Sequence, residues 1–323
     1  MKRSLPIRLS IRDFGDRRLP LIATVVRRDV LATGQRTFSL IGFAIFVLGI
    51  GTIGAPASTV GAGAEGGDGP GNASLLATAQ NGQVLLAMDV DEGTSTVIGN
   101  TGFPPASLGM AITPDGTTAY TVATTQTPSQ AHLAAIDLAT GEERLVGSQP
   151  LGQDLYIMGM TFSPDGVLYA AGDYDPTSPT FNSLYTLDLA TGLAHRVGSL
   201  GGDRAKSAFI MSFTFDSGGN MYGASMMSLY TIDGTTPTAT KVADFVGAAT
   251  DPPLIMGIAF DENDKLYAAD HVDLPDGGST IYTLDRQTGV LTPLFNTGIA
   301  FVHNIAFKPH SDEAHIARST IGD

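Results

Sequence analysis

The 323-residue chain contains no cysteine and no tryptophan. Without cysteine there is no disulfide framework, no thiolate metal site and no thiol nucleophile. A domain of this length can bury enough apolar surface to hold together without them. Positive charge is scarce and unevenly placed: residues 1 to 36 hold nine of the eighteen Lys and Arg against three acids, whereas residues 37 to 323 hold nine basic and twenty-nine acidic side chains, a net charge of −20. So acidic a surface repels a phosphate backbone and excludes nucleic acid as a partner. Nor is there a G-x-S-x-G elbow or a phosphate-cradling glycine loop opening a helix, which removes two common signatures of hydrolytic and nucleotide chemistry.

What the chain does have is repetition. The phrases AMDVDEG, AIDLATG, TLDLATG, TIDGTT and TLDRQTG recur with their Asp at Asp89, Asp137, Asp188, Asp233 and Asp285, at intervals of 48, 51, 45 and 52 residues. A second phrase keeps step: LGMAITPDG, MGMTFSPDG, MSFTFDSGG, MGIAFDEND and HNIAFKPHS start at Leu108, Met158, Met211, Met256 and His303. A period of this length belongs to the blades of a β-propeller.

One repeat, from Tyr156 to Ser199, contains four short apolar runs separated by turn residues: IMGMTFS, VLYAAGD, SLYTLDL and AHRVGS. Runs rich in β-branched and aromatic residues between Pro, Asp and Gly read as strands, and four per repeat make a blade; they are named A to D in chain order. Pro164 and Asp165 suit the two central αR positions of a type I turn with Gly166 at positive φ after them, and Asp188 can accept backbone N–H groups two residues on while Gly192 turns left-handed. The recurrent Asp is therefore read as structural.

The repeat region is incomplete at both ends in complementary ways. Its first unit, from Ser74, has B, C and D but no A, and its last, FVHNIAFKP from Phe301, is an A strand alone. The sequence predicts an all-β fold, a propeller of five four-stranded blades whose ring is closed by the C-terminal strand completing the first blade, so that no sheet edge stays open. The domain spans 74–309, after a linker at 65–73 and before a tail at 310–323.

Residues 1–64 read as a leader. Thr37 to Ala64 carries no charge, and Leu40 to Ile53 is a fourteen-residue apolar core, short for a membrane span of about 20 residues but suited to a signal peptide. Ala55-Pro56-Ala57 and Ala62-Gly63-Ala64 offer cleavage sites, and Arg27-Arg28-Asp29-Val30-Leu31 resembles a twin-arginine export signal. A retained anchor is the alternative, with membrane contact only through this segment; in both cases the propeller, expected as a monomer, is secreted or faces outward from the cell envelope.

IMGIAFDENDKLYAADH, Ile255 to His271, resembles the blade of NHL-type six-bladed propellers, and LYTLDLATG, Leu184 to Gly192, is similar to the repeats of quinoprotein-like and YVTN-type bacterial and archaeal surface propellers. The resemblance covers Ser74 to Pro309 and implies the propeller rather than one family. The absence of Trp departs from the signatures of WD40 proteins and quinone-dependent dehydrogenases. Lactonase-like propellers hold a channel metal on carboxylates and amides of the inner strands, and five-bladed glycosidases place their acids there. The corresponding column here is Gly109, Gly159, Ser212, Gly257 and Asn304, in which only Asn304 is a strong ligand.

Two groups of candidate binding residues follow. Met158, Met211, Met256 and His303, with Asn304, start strand A at the channel mouth; they read as an apolar plug, or as an apolar-ligand or soft-metal site, since thioether and imidazole suit Cu(I). On the same face the B–C and D–A loops bring Asp154, Asp173, Asp175, Asp203, Asp251, Asp270, Asp273 and Asp276, oxygen ligands of the kind Ca²⁺ takes, although no EF-hand spacing is present. His271 is expected as a solvated loop histidine titrating near neutrality. No catalytic residue is assigned. The functional expectation is an exported, noncatalytic module recognising an extracellular protein, glycan or small ligand on the D–A and B–C face; the alternative is a metal-dependent hydrolase or lactonase at the channel mouth.

Overall fold

The computed structural model of the protein describes residues 74–309, apart from 81, 102–104, 125–130, 153–154, 174, 176, 203–208 and 274–277. The expected leader, linker and tail lie outside the described residues.

Every repeat folds into a four-stranded antiparallel sheet, and there is no helix among the described residues. β1 (Ser74–Ala79), β2 (Val84–Asp89) and β3 (Thr94–Asn100) are strands B to D of the first blade. Complete blades follow: β4 (Pro105–Ile112), β5 (Ala119–Thr124), β6 (Ala131–Ile136) and β7 (Glu143–Leu145); then β8 (Ile157–Phe162), β9 (Leu168–Gly172), β10 (Ser183–Leu187) and β11 (Ala194–Ser199). The next pair comprises β12 (Ser212–Phe215), β13 (Met221–Ala224), β14 (Ser228–Asp233) and β15 (Thr238–Asp244), and β16 (Ile255–Phe260), β17 (Leu266–Asp270), β18 (Thr280–Leu284) and β19 (Leu291–Asn296). Finally β20 (Ile305–Phe307) pairs with β1, in the register Leu75 to Phe307, Leu76 to Ala306 and Ala77 to Ile305. The inner strands β4, β8, β12, β16 and β20 touch in that order and β20 touches β4, so the ring closes at five blades, as the sequence predicts.

The recurrent Asp shapes the C–D turns. One oxygen of Asp188 accepts the N–H groups of Ala190 and Thr191 at 2.8 and 2.9 Å, and Asp89, Asp137, Asp233 and Asp285 each accept from the residues two and three positions on. These donors hold the carboxyls of Asp137, Asp188, Asp233 and Asp285 below the usual carboxylate range. Gly192 then turns at φ +77, with its N–H on the Asp188 carbonyl.

Blades pack face to face. Leu133 and Ala135 of one share a core with Met160, Leu168 and Ala170 of the next. A Tyr of strand B also meets a Phe ending strand A of the following blade: Tyr120–Phe162, Tyr169–Phe215, Tyr222–Phe260 and Tyr267–Phe307, with ring centroids 5.0 to 5.9 Å apart in edge-on or tilted geometry. Such pairs contribute about 0.5–1.5 kcal/mol beyond area burial.

Candidate functional site

Five inner strands around one axis leave little room, and the glycine column follows from that crowding. A Cβ at Gly257 would lie 2.6 Å from the His303 carbonyl oxygen, one at Gly159 2.8 Å from that of Met211, and one at Gly109 2.7 Å from Cγ of Met160. Where the column has polar side chains, they bind backbone: Ser212 Oγ accepts the Ile258 N–H at 3.1 Å, and the Asn304 amide donates to the Met158 carbonyl at 2.8 Å. Asn304 thus ties inner strands together with the group that a channel metal of the lactonase type would need.

Just outside this column, at the end facing the D–A and B–C loops, Met158, Met211 and Met256 form one buried cluster, with Phe209 and Met226 packed against it. Strand irregularities aim two of them: pairing steps from Ile157 to Gly159 and from Ile255 to Gly257, leaving Met158 and Met256 as bulge residues, a device that redirects a side chain. His303 holds the same position in the next blade and is 1 % exposed. Its ring lies 4.1 Å from that of His271, and His271 also meets Phe301 at 5.0 Å. Neither ring nitrogen of His303, nor Nδ1 of His271, finds a hydrogen-bond partner among the described residues.

This environment corrects the expectation for His271. The ring is half-buried rather than solvated, and burial pulls its pKa down to about 4, against the smaller opposing effect of a hydrogen bond to the Val302 backbone. Burial, and then the neighbouring His271, hold His303 well below the usual histidine value. Burial thus disfavours the charged form of both rings.

Three carboxylates of this face, Asp173, Asp175 and Asp270, are engaged in shaping their loops. Buried Asp173 accepts the hydroxyls of Ser178 and Thr180 on one oxygen and the Asp175 N–H, at 3.2 Å, on the other. Asp175 in turn accepts the N–H and hydroxyl of Thr177, both at 2.8 Å. Asp270, fully buried, accepts the Thr280 N–H at 2.8 Å and the Tyr282 hydroxyl at 2.7 Å; burial raises its pKa, and pushes that of Tyr282 up to about 12. Asp251 and Asp273 are exposed, and Asp154, Asp203 and Asp276 lie outside the described residues. No three His, Cys, Asp or Glu converge among the described residues.

The axis opens at the other end. A cavity of about 350 Å³ sinks into it between the A–B turns, floored by Met110, Met160, Phe213, Ile258 and Ile305 and walled by Phe162, Phe215, Phe260 and Phe307. Asp216, Asp261 and Lys308 stand at the rim. Asp216 meets Arg286 at 3.4 Å, and Asp261 caps its own turn through the N–H groups of Asn263 and Lys265. Thr161, Ser163, Thr214, Ser217 and Glu262 line it as well, so apolar and polar side chains share a space of the size a small molecule occupies. Sequence reasoning missed this cup; the available signal was the Phe that ends four of the five A phrases.

Compared with known proteins, the chain matches no family model and no curated sequence. Solved structures do match. A quinone-bound aldose sugar dehydrogenase from Streptomyces coelicolor is 16% identical, with a TM-score of 0.41, over 73% of this chain and 85% of that one. A gluconolactonase from Xanthomonas campestris is 13% identical, TM-score 0.39, over 72% and 79%, and a Bacteroides caccae protein of unknown function is 10% identical, TM-score 0.39, over 74% and 100%. Likeness at this level carries neither substrate nor reaction across, and the propeller rests on the five sheets themselves.

Proposed function

We propose that the protein is an exported β-propeller that binds a ligand without transforming it, and that the ligand is a small molecule with an apolar ring face, held in the axial cup. The carrying observation is that cup, a cavity of about 350 Å³ lined by four Phe side chains together with polar groups on a closed scaffold. It lies on the face opposite to the loops to which the sequence assigns recognition. Export is supported by the uncharged stretch Thr37 to Ala64 and its small-residue cleavage sites; N-terminal sequencing of the protein from a native-like host checks it, with a start at Ser58 or Glu65 expected and a soluble cytoplasmic protein starting at Met1 contradicting it.

Ligand binding is tested by saturation-transfer NMR against a panel of heteroaromatic and glycoside small molecules. Thr161 lines the cup and is half-buried, so Thr161→Phe should fill it. Hits should disappear in Thr161→Phe and persist in Asp173→Asn on the opposite face. Hits indifferent to Thr161→Phe would remove the cup from the proposal. Lactone hydrolysis that His303→Ala and Asn304→Ala both abolish would replace binding with the hydrolase reading.

A further inference from the structure

A second group of side chains lies at the closed end of the axis, away from the cup. Four residues occupy equivalent positions at the start of four inner strands, and the backbone shows how close those positions are. The Met211 carbonyl abuts Gly159, the residue after Met158; the His303 carbonyl abuts Gly257, the residue after Met256; and Asn304 donates to the Met158 carbonyl across the ring. Three thioethers already form one cluster there. At the equivalent position of the closing strand the fold puts an imidazole that is 1 % exposed and has both nitrogens unpartnered among the described residues, its ring centroid 4.1 Å from that of a second, tilted ring with Nδ1 unpartnered.

An apolar plug alone does not account for His303. A Leu or Met, as in the other blades, would fill the position without leaving buried polar atoms unsatisfied, a cost that calls for a reason. The nearby carboxylate gives no hard-ligand alternative, since both oxygens of Asp270 are taken by Thr280 and Tyr282. What remains as free donors is thioether sulfur and imidazole nitrogen. Thioether and imidazole donors select soft metal, Cu(I) above all.

We propose that Met158, Met211, Met256 and His303 form a binding site for a soft monovalent cation, Cu(I), at the closed end of the channel, with His271 supplying a second imidazole.

The test is anaerobic titration of the purified full chain with Cu(I) against the chromophoric chelator bicinchoninate, paired with X-ray absorption at the copper edge. The intact protein should withdraw one equivalent and show sulfur together with nitrogen neighbours. Met158→Leu and Met211→Leu conserve volume and apolarity, so they keep the fold; each should weaken Cu(I) binding at least tenfold, and His303→Phe should abolish it. Failure to withdraw copper, copper retained undiminished in the Met→Leu variants, copper bound by nitrogen and oxygen only, or displacement of Cu(I) by equimolar Zn²⁺ would each overturn the proposal. None of these results bears on ligand binding in the cup.

Discussion

Replacing Gly257 by Ala adds a single methyl where β16 runs beside β20. The new carbon would stand 2.6 Å from the His303 carbonyl oxygen, 3.1 Å from the Ile305 nitrogen and 3.2 Å from Ile305 Cγ1, whereas ordinary contact begins at 3.4 Å. Two of the three obstructing atoms are backbone, and that backbone is fixed by pairing with β1. The inner ring must therefore open by several tenths of an ångström at its closing joint. Overpacking of this kind costs about 1–3 kcal/mol, while removing glycine's freedom in the unfolded chain returns about 0.4–1 kcal/mol. The net loss is centred on about 1.3 kcal/mol, within limits of roughly 0–2.6, which in a domain of this size lowers Tm by roughly 3–5 °C. Gly234→Ala is the control, because the nearest atom to its Cβ is the mobile Met221 Cε at 3.5 Å; its Tm should hold or rise. Gly109→Ala should fall between, since Met160 Cγ, 2.7 Å away, belongs to a flexible side chain. Differential scanning calorimetry on the three variants reads the order directly. Equal Tm values for Gly257→Ala and Gly234→Ala would refute the reasoning that crowding at the axis dictates the glycine column.

Tyr282→Phe removes the hydroxyl that donates to Asp270 at 2.7 Å and accepts the Ala249 N–H at 2.9 Å, both inside the fifth blade region; denaturant unfolding should show a loss of about 1–3 kcal/mol. Desolvation raises the Glu143 carboxyl to about 8. Because its folded pKa lies above the unfolded one, the protein should lose stability as pH rises between about 4.5 and 8, by roughly 5 kcal/mol, and Glu143→Gln should flatten that limb of a Tm–pH profile. His271 is shifted the other way, to about 4, so stability should fall as pH drops from about 6.5 through 4, and His271→Phe should remove part of that acid limb. Tyr222→Leu breaks the 5.3 Å contact with Phe260 between neighbouring blades and should cost about 1–2 kcal/mol by denaturant unfolding.

Features whose causes are local or periodic were legible in the sequence. An Asp that accepts N–H groups two and three residues ahead acts within its own turn, so Asp188 and its four equivalents announce themselves without a structure. The closing pair of β20 with β1 was legible because the first unit lacks the strand that the last supplies. The contact of His271 with His303 was not: one ring sits on a B–C loop and the other on a D–A loop of the adjoining blade, and only the closing of the ring brings them to 4.1 Å. The Asp173 loop misled for a related reason, since clustered carboxylates look alike whether they await a cation or, as Asp173 does, accept the hydroxyls of Ser178 and Thr180. The cup depends on the axial width left by five blades, which no single repeat records.

Both sites exist only if the ring closes at five blades through β20 and β1, and the cysteine-free chain gives that claim a direct measurement. Ala77 and Ile305 face each other across the joint, between the hydrogen-bonded pairs marked by Thr78 N–H to Asn304 and Lys308 N–H to Ser74, a placement with short Cα separation suited to a disulfide. The double variant Ala77→Cys, Ile305→Cys, oxidised in the folded state and mapped by peptide mass spectrometry without reduction, should yield one linked peptide joining the two strands and no free thiol. Two free thiols in folded, oxidant-treated protein, with no linked peptide, would contradict the closed five-bladed ring.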